Sequence, residues 1–372
     1  MTPTPFTITV PDSVLDDLGE RLARTRLLPD SPRRPLSGMS SEYLAQLVSS
    51  WRTFDWRARE AWLNRHRQYL AHVDGSSIHF AHLRSANPEA PALLVMHGWP
   101  HTFALQLDFA DLLSDFHVVV PSFPGFGFSG PYSDRPVTDE NLAHTMDTLM
   151  TNVLGYGSYL TYGEDVSAWV SDLIAATRGD HVLGIVATHA HFPTGAEREA
   201  LSDPDEVAFF ERLTAKHHTD GGYGHIQATR PDILAAALND SPAGLIAWVA
   251  EKLVEWSDTP QSEPVAVERR ISRERILTEA MIYWATQSIA SSFRPYYEGA
   301  DQPGPMPPVE VPAAIFIQRH EADYPESLAR SYYRDLRTFE RLEEGGHFAI
   351  AEVPQAMAER VRAFAREIGV LT

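Results

Sequence analysis

Apolar and polar positions along the chain change their spacing near residue 90. Before that point, residues 10–28 place apolar side chains on one face of a predicted helix, and residues 54–70 mix apolar and charged positions at helical spacing. Residues 72–85 alternate around an Asp-Gly pair, which predicts a β-hairpin. We expect residues 1–85 to form an N-terminal extension that packs on the core and carries no chemistry of its own.

Short apolar runs that end in loops rich in Gly and Pro begin near residue 90 and predict buried strands. The clearest runs are ALLVMHGWP, FHVVVPSFPGFG, SYLTYGED, HVLGIVATH and AAIFIQRHE. Helical patterns separate them, as is typical of βαβ units around a mostly parallel sheet. Residues 353–369 repeat apolar side chains at intervals of three and four, which predicts a final helix packed on the core.

The strand pattern stops between residues 192 and 305, where three segments have helical spacing instead. A helical block inserted between parallel strands is expected to cover their carboxyl ends, where open α/β sheets bind ligands. We therefore predict a helical cap at 192–305 between two core segments, 86–191 and 306–372. A Pro-rich connector at residues 301–312 returns the chain to the core.

Composition narrows the classes of function. The 372 residues carry a formal net charge of −19, which argues against nucleic acid or an anionic membrane as a partner. No cysteine is present, so disulfides, thiolate metal sites and thiol nucleophiles are excluded. The sequence shows neither a signal-peptide pattern nor a long apolar run, so we expect a cytoplasmic protein without a membrane anchor. A homodimer is compatible with this composition.

One strand-turn-helix segment has the spacing of a nucleophile elbow. The strand SYLTY leads into Gly163-Glu164-Asp165-Val166-Ser167, and a helical pattern follows. Small residues at positions 163 and 167 suit the tight bend that lifts one side chain above a sheet edge. No Gly-x-Ser-x-Gly occurs in the chain, so the nucleophile would be the Asp165 carboxylate. An Asp at such a turn is also commonly a helix cap, so the hypothesis needs partners.

The segment HGWP after an earlier predicted strand supplies the first partner. A backbone turn at the sheet edge can aim the N–H of Trp99 into the site, and with the N–H of Val166 it would form an oxyanion hole. We interpret His97 mainly as a structural hydrogen-bonding residue. Residues His97, Trp99, Pro100 and Val166 are the candidates for contact with substrate.

A histidine and an acid complete the constellation. Gly345 and Gly346 permit a tight turn that presents His347 just before the final helix, after the nucleophile and the acid in chain order. Glu321 and Asp323 both follow the strand AAIFIQ, and either could orient the imidazole and stabilise its cation.

Together these motifs resemble the microsomal-type epoxide hydrolases of the α/β-hydrolase superfamily, from about residue 5 to the C-terminus. The most specific stretch is GYGHIQATRP in the predicted cap, followed by ALNDSPAGLIAWVAEKLVEWSD. The resemblance implies an α/β-hydrolase fold with a mostly parallel sheet, a helical cap and an N-terminal extension. It also implies that Tyr223 and Tyr296, with Tyr297 as the adjacent alternative in register, donate hydrogen bonds to the epoxide oxygen. Glu321 becomes the triad acid, with Asp323 in reserve.

The implied activity is hydrolysis of a small hydrophobic epoxide by water to a vicinal diol, with no cofactor and no metal. A carboxylate needs no base to attack a saturated carbon, and tyrosines suit the departing oxygen. His347 would then activate water to hydrolyse the ester on Asp165. A haloalkane or haloacid dehalogenase could use the same nucleophile, although Val166 offers no side-chain N–H to a halide. A non-catalytic ligand-binding member of the fold is the other alternative.

The sequence departs from this family at two places. The elbow usually reads GGDWG, whereas this chain has GEDVS, so Val166 removes a large aromatic beside the nucleophile. If Glu164 faced Asp165, it would raise the pKa of that carboxyl. The family's HGWPGS is HGWPHT here, and we expect His101 to constrict or line the entrance. Microsomal members carry a membrane anchor for which this chain shows no sequence pattern.

Overall fold

The computed structural model describes residues 2–33, 38–299 and 306–372, and in them one mixed β-sheet forms the centre of the molecule. Its nine strands are β1 Thr4–Phe6, β2 Gln68–Val73, β3 Ser76–Leu83, β4 Ala92–Val95, β5 His117–Pro121, β6 Tyr159–Gly163, β7 Val182–Ala187, β8 Val309–Ile317 and β9 Tyr333–Arg341. Every residue of β4, β5 and β6 is buried, as expected for strands covered on both faces.

The order of the strands brings the carboxyl ends of most of them to one edge. The sheet runs β1-β2-β3-β5-β4-β6-β7-β8-β9. The pairs from β1 to β5 are antiparallel, and all pairs from β5 through β9 are parallel. The predicted mostly parallel sheet is therefore confirmed, and the loops after β4, β6, β7, β8 and β9 lie side by side.

The helices of the described residues flank this sheet or lie between β7 and β8. They are α1 Asp12–Ala23, α2 Ser41–Trp51, α3 Trp56–Asn64, α4 Phe103–Ala110, α5 Asp139–Thr148, α6 Val166–Thr177, α7 Gly195–Glu199, α8 Pro204–Asp220, α9 Gly222–Thr229, α10 Pro231–Asp240, α11 Pro242–Trp256, α12 Arg273–Thr286, α13 Arg294–Glu298, α14 Glu326–Tyr332, α15 Ala349–Glu352 and α16 Pro354–Glu367. Within the described part of 188–308 no strand occurs. The start of the predicted connector, residues 301–305, lies outside the described residues.

Two parts of the N-terminal prediction need correction. The helix predicted over 54–70 is too long, because α3 ends at Asn64 and residues from Gln68 onward form β2. The extension also does more than pack on the core, since β1, β2 and β3 belong to the sheet and α1 and α2 contact the inserted helix α11. The hairpin is confirmed, with positive φ angles at Asp74 and Gly75.

Several elements were absent from the prediction, among them the strands β1 and β9 and the helix α2. Strand β9 forms the edge of the sheet and carries charges at exposed positions, so it has no apolar run to reveal it. Helix α2 was not recognised either, although Ser40 caps it by accepting a hydrogen bond from the Tyr43 N–H at 3.1 Å. The predicted final helix is confirmed as α16, whose apolar side chains are buried.

The helices of the described residues include one candidate for a membrane span, and it is a bent pair. No single helix there combines the length and apolar character needed to cross a bilayer. The pair α10 and α11 passes that test only when joined, and the two helices are bent by 116°.

Candidate active site

The turn between β6 and α6 holds Asp165 in a conformation that few side chains adopt. Its φ is 55° and its ψ is −140°, a sparsely populated region that costs on the order of 1–3 kcal/mol. The Asp165 side chain makes no capping hydrogen bond to α6, so the helix-cap alternative is wrong. The bend needs small neighbours, because a Cβ on Gly163 would meet the Ser167 carbonyl and one on Gly98 would overlap the Asp165 carboxyl.

Backbone donors face one oxygen of this carboxyl. The Trp99 N–H donates to Asp165 Oδ1 at 3.1 Å, from the turn that follows the neighbouring strand β4. The Val166 N–H lies close enough to the same carboxyl to help lower its pKa. The two amides predicted to form an oxyanion hole therefore converge on the same carboxyl group.

His347 joins the carboxyl to a second acid. Its Nε2 lies 2.9 Å from Asp165 Oδ2, and its Nδ1 lies 3.0 Å from Glu321 Oε1. The preceding turn depends on Gly345, whose φ is +101°, as the sequence suggested. Asp323 instead has a side chain 78% exposed and pairs with Arg341. The structure therefore brings Glu321, and not Asp323, to the imidazole.

The three groups shift one another's proton affinity. Burial lowers the pKa of His347, but the hydrogen bonds and charges of Asp165 and Glu321 outweigh it and raise the pKa to about 10. Burial alone would raise the pKa of Asp165, yet the hydrogen bond and charge of His347 hold it well below its usual range. The pKa of Glu321 is lowered against burial for the same reason. The resting site thus holds an imidazolium between two carboxylates.

A cavity of about 430 Å³ opens above these groups. Tyr223 and Tyr296 line it together with Asp165, and their rings lie 6.0 Å apart between centroids. Tyr223 stacks on Trp99 at 5.3 Å. The register expected for the second tyrosine agrees with the structure, because Tyr297 is 39% exposed and does not line the cavity.

Both phenols stay protonated well above neutral pH. Burial is the main reason that the pKa of Tyr223 and that of Tyr296 are raised, and the negative charge of Asp165 acts in the same direction. The two hydroxyls also lie close enough for each to shift the pKa of the other. They are therefore available as donors to an oxygen bound above Asp165.

Three residues predicted near the substrate are elsewhere. His97 is fully buried, where its Nδ1 lies 2.8 Å from the Gly98 carbonyl and its Nε2 accepts the Phe123 N–H at 3.0 Å. The prediction that His97 is mainly structural agrees with these contacts, and the prediction that it contacts substrate is wrong. Pro100 is buried and does not line the cavity, unlike Trp99 and Val166.

His101 is the third of these, and it does not reach the entrance. Its ring is fully buried, where Nε2 accepts the Gly98 N–H at 3.1 Å and also lies 3.1 Å from Glu164 Oε1. Glu164 is also fully buried and accepts a hydrogen bond from the Tyr162 hydroxyl at 3.1 Å. The sequence suggested that Glu164 would raise the pKa of Asp165 if it faced that carboxyl. Its contacts lie in the core instead, beside His101.

The pairing of His101 with Glu164 predicts a measurable loss of stability. Glu164→Ala leaves the buried Tyr162 hydroxyl without the carboxyl that accepts its hydrogen bond and removes the acid beside the His101 ring, which costs about 1–3 kcal/mol in free energy of unfolding. His101→Ala should have a similar effect, and the double variant should lose less than the sum of the two single losses. Urea unfolding of the four proteins measures this, and strictly additive losses would show that the two side chains do not depend on each other.

His189 belongs to the site but was not predicted. It follows β7, and its Nδ1 accepts the Asp165 backbone N–H at 3.1 Å, while its Nε2 lies 3.2 Å from His347 Nδ1. Burial lowers the pKa of His189 to about 4, so the ring is neutral. A position directly after a buried parallel strand is the signal that could have identified it.

One group in the described residues has the spacing of metal ligands. Donor atoms of His189, Glu321 and His347 all lie within 4.8 Å of one another. These atoms already contact each other at hydrogen-bond distances, so an ion bound there would have to break the contact between His347 and Glu321. The arrangement otherwise provides a charged carboxylate, an imidazole with an acid behind it, amide donors and two phenols.

Comparison with known proteins agrees with the fold. Residues 3–105 match the family described as Epoxide hydrolase N terminus, and residues 91–288 match the alpha/beta hydrolase fold. Epoxide hydrolase 1 of Sus scrofa is 31% identical over 97% of this chain and 88% of that protein.

Two solved structures are similar over almost the whole chain. Juvenile hormone epoxide hydrolase from the silkworm Bombyx mori has a TM-score of 0.86 at 26% identity, covering 98% of this chain and 94% of that one. Aspergillus niger epoxide hydrolase has a TM-score of 0.84 at 29% identity, covering 99% and 97%.

Proposed function

The chain belongs to the epoxide hydrolase family of the α/β-hydrolase fold, and on that premise we propose that it converts an epoxide to a diol through an ester on Asp165. The observation that carries the proposal is a single carboxyl held between backbone N–H groups and His347, beneath two phenols that line the same cavity. The substrate is a small hydrophobic epoxide, because aromatic side chains make up much of the cavity wall.

The first step is attack by Asp165 Oδ2 on one carbon of the oxirane. Oδ1 accepts the Trp99 N–H, so Oδ1 becomes the carbonyl oxygen of the ester and Oδ2 forms the new bond. The breaking C–O bond leaves its electron pair on the epoxide oxygen, which takes a proton from Tyr223 or Tyr296. The charge of Asp165 disappears as the ester forms. This removes one cause of the raised phenol pKa at the moment when a proton is needed.

Ester formation also prepares His347 to act as a base. The loss of the Asp165 charge removes one of the two carboxylates that raise the pKa of the imidazole, so its proton affinity falls. The proton that it releases restores the tyrosine that has given one to the substrate. Glu321 keeps its contact with Nδ1, which leaves Nε2 free to take a proton from water.

Hydrolysis of the ester completes the cycle. Water, deprotonated by His347, attacks the carbonyl carbon of the Asp165 ester, and the negative charge develops on Oδ1. The amides of Trp99 and Val166 support that oxyanion, and one such donor typically contributes about 2.7–4 kcal/mol to the barrier. Collapse breaks the bond between the Asp165 carbonyl carbon and Oδ2, and the departing diol oxygen takes its proton from His347. The new carboxylic acid of Asp165 then gives its proton to His347, which restores the carboxylate and the imidazolium.

A test of the function compares an epoxide with a haloalkane of the same carbon skeleton. We expect diol from the epoxide and no halide release, because the donors above Asp165 are hydroxyls placed for an oxygen. Tyr223→Phe combined with Tyr296→Phe should lower kcat/KM for the epoxide by about 10²- to 10⁴-fold. Tyr297→Phe is the matched control and should leave it unchanged. Halide release without diol, or full activity of the double variant, would contradict the proposal.

A further inference from the structure

A second carboxylate faces the cavity, and the proposed reaction does not use it. Asp139, in the first turn of α5, lines the same cavity as Asp165. Its neighbours in that wall include Phe126, Trp169 and Pro295, which offer a carboxylate little solvation. A charged group in such surroundings is costly unless something pairs with it.

The fold gives Asp139 no structural task that explains its position. Thr138, and not Asp139, caps α5 by accepting the Asn141 N–H at 3.3 Å. Among the described residues the Asp139 carboxyl makes no hydrogen bond or ion pair.

The surroundings of the Asp139 carboxyl favour binding of a hydrogen-bond donor. Burial raises the pKa of Asp139 to about 7, and the negative charges of Glu140 and Asp165 act in the same direction. The helix N-terminus would by itself favour the charged form. A hydrogen-bond donor supplied by a ligand would stabilise the carboxylate, which only accepts hydrogen bonds when ionised.

The space beside the nucleophile allows a substrate to extend beyond its oxirane. Val166 lines the cavity at the position where the resembling elbow motif usually has tryptophan. The smaller side chain leaves room in a cavity of about 430 Å³, the size of sites that enclose small organic ligands. The same cavity thus holds a reactive carboxyl and an unpaired one.

We propose that Asp139 is a specificity-determining residue that accepts a hydrogen bond from a donor group, a hydroxyl or a protonated amine, carried by the epoxide away from its oxirane ring. This inference rests on the proposed function, because the oxirane must lie at Asp165 while the donor group hydrogen-bonds to Asp139. The preferred substrate is therefore an otherwise apolar epoxide with one polar donor.

The test uses three terminal epoxides of equal chain length that end in a methyl, a hydroxyl or a dimethylammonium group. For the wild type we expect kcat/KM to be higher by about tenfold or more for at least one donor-bearing epoxide than for the methyl epoxide. The difference should lie mainly in KM, since the contact is made in the ground state as well as in the transition state. The amine and hydroxyl arms identify which donor is recognised.

Variants at two adjacent positions separate this contact from general effects. Asp139→Leu should abolish the preference and raise kcat/KM for the methyl epoxide. Asp139→Asn should keep a preference for the hydroxyl but lose any preference for the ammonium group. Glu140→Gln is the control, because Glu140 is exposed in the same helical turn and does not line the cavity. It should keep the wild-type order of preference among the three epoxides, because the Asp139 carboxyl stays in place and loses only a charge that opposes its ionisation.

The results that overturn this inference differ from those that overturn the reaction. Equal kcat/KM for all three epoxides in the wild type, or a preference that survives Asp139→Leu, would remove Asp139 from substrate recognition while leaving diol formation intact. No diol from any of the three epoxides would instead contradict the proposed function.

Discussion

Asp165→Asn should lose at least about 10⁴-fold in kcat for epoxide hydrolysis, the scale seen when a catalytic nucleophile is removed. The amide oxygen is neutral, so it is a much weaker nucleophile toward a saturated carbon than a carboxylate oxygen. The turn should still form, because the substitution keeps the shape of the side chain and its acceptor for the Trp99 N–H. Diol formation by purified, sequence-verified protein measures the loss, and circular dichroism and urea unfolding check the fold.

Asp165→Ala provides a control for slow repair of the asparagine. The site that hydrolyses an ester at position 165 also has the groups to hydrolyse an amide there, which would regenerate aspartate. We therefore expect Asp165→Asn to gain activity on prolonged incubation, together with the mass increase of deamidation, and Asp165→Ala to remain inactive. Immediate full activity of either variant would remove Asp165 from the mechanism.

His347→Gln should stop the reaction halfway and accumulate the ester. The variant retains Asp165, both amide donors and both phenols, so alkylation proceeds, whereas no base remains to deprotonate water. Intact mass after addition of epoxide should rise by the mass of one substrate molecule, and a peptide map should locate the adduct at Asp165. Turnover should fall by at least about 10³-fold.

Low pH should produce the same ester in the wild type. The pKa of Asp165 is held low, so its carboxylate stays ionised in mild acid and alkylation continues. Hydrolysis needs neutral His347, so it is lost as the pH falls through the pKa of His347 in the ester state. That pKa lies below the resting value of about 10 because one neighbouring carboxylate has become neutral. Absence of an adduct both in His347→Gln and in acid-quenched wild type would refute the assigned base.

The sequence allowed the reactive centre to be predicted because its residues follow strands in a fixed order. Asp165 and Glu321 follow the buried strands β6 and β8, and His347 follows the parallel edge strand β9, so the three side chains converge at one sheet edge. The choice of Glu321 over Asp323 came from resemblance, since two acids separated by one residue cannot be distinguished by spacing. Only the fold shows that Asp323 points to solvent and pairs with Arg341.

Other features depend on contacts between distant segments, which spacing does not reveal. The partner of Glu164 is His101, which lies 63 positions earlier in the sequence. Without knowledge of that contact, the sequence suggested that Glu164 could raise the pKa of Asp165 and that His101 would constrict or line the entrance. Asp139 reaches the cavity from the first turn of a helix that shows no unusual pattern. Strand β9 was absent from the prediction because an edge strand needs no continuous apolar run.

A single turnover in ¹⁸O-water, with enzyme in excess over an apolar epoxide, tests the ester on Asp165 most directly. In the proposed mechanism the new diol oxygen comes from Asp165 Oδ2, so the first diol is unlabelled and one ¹⁸O appears in the peptide containing Asp165. A diol that carries ¹⁸O after the first turnover, with no label in that peptide, would mean that water attacks the epoxide directly.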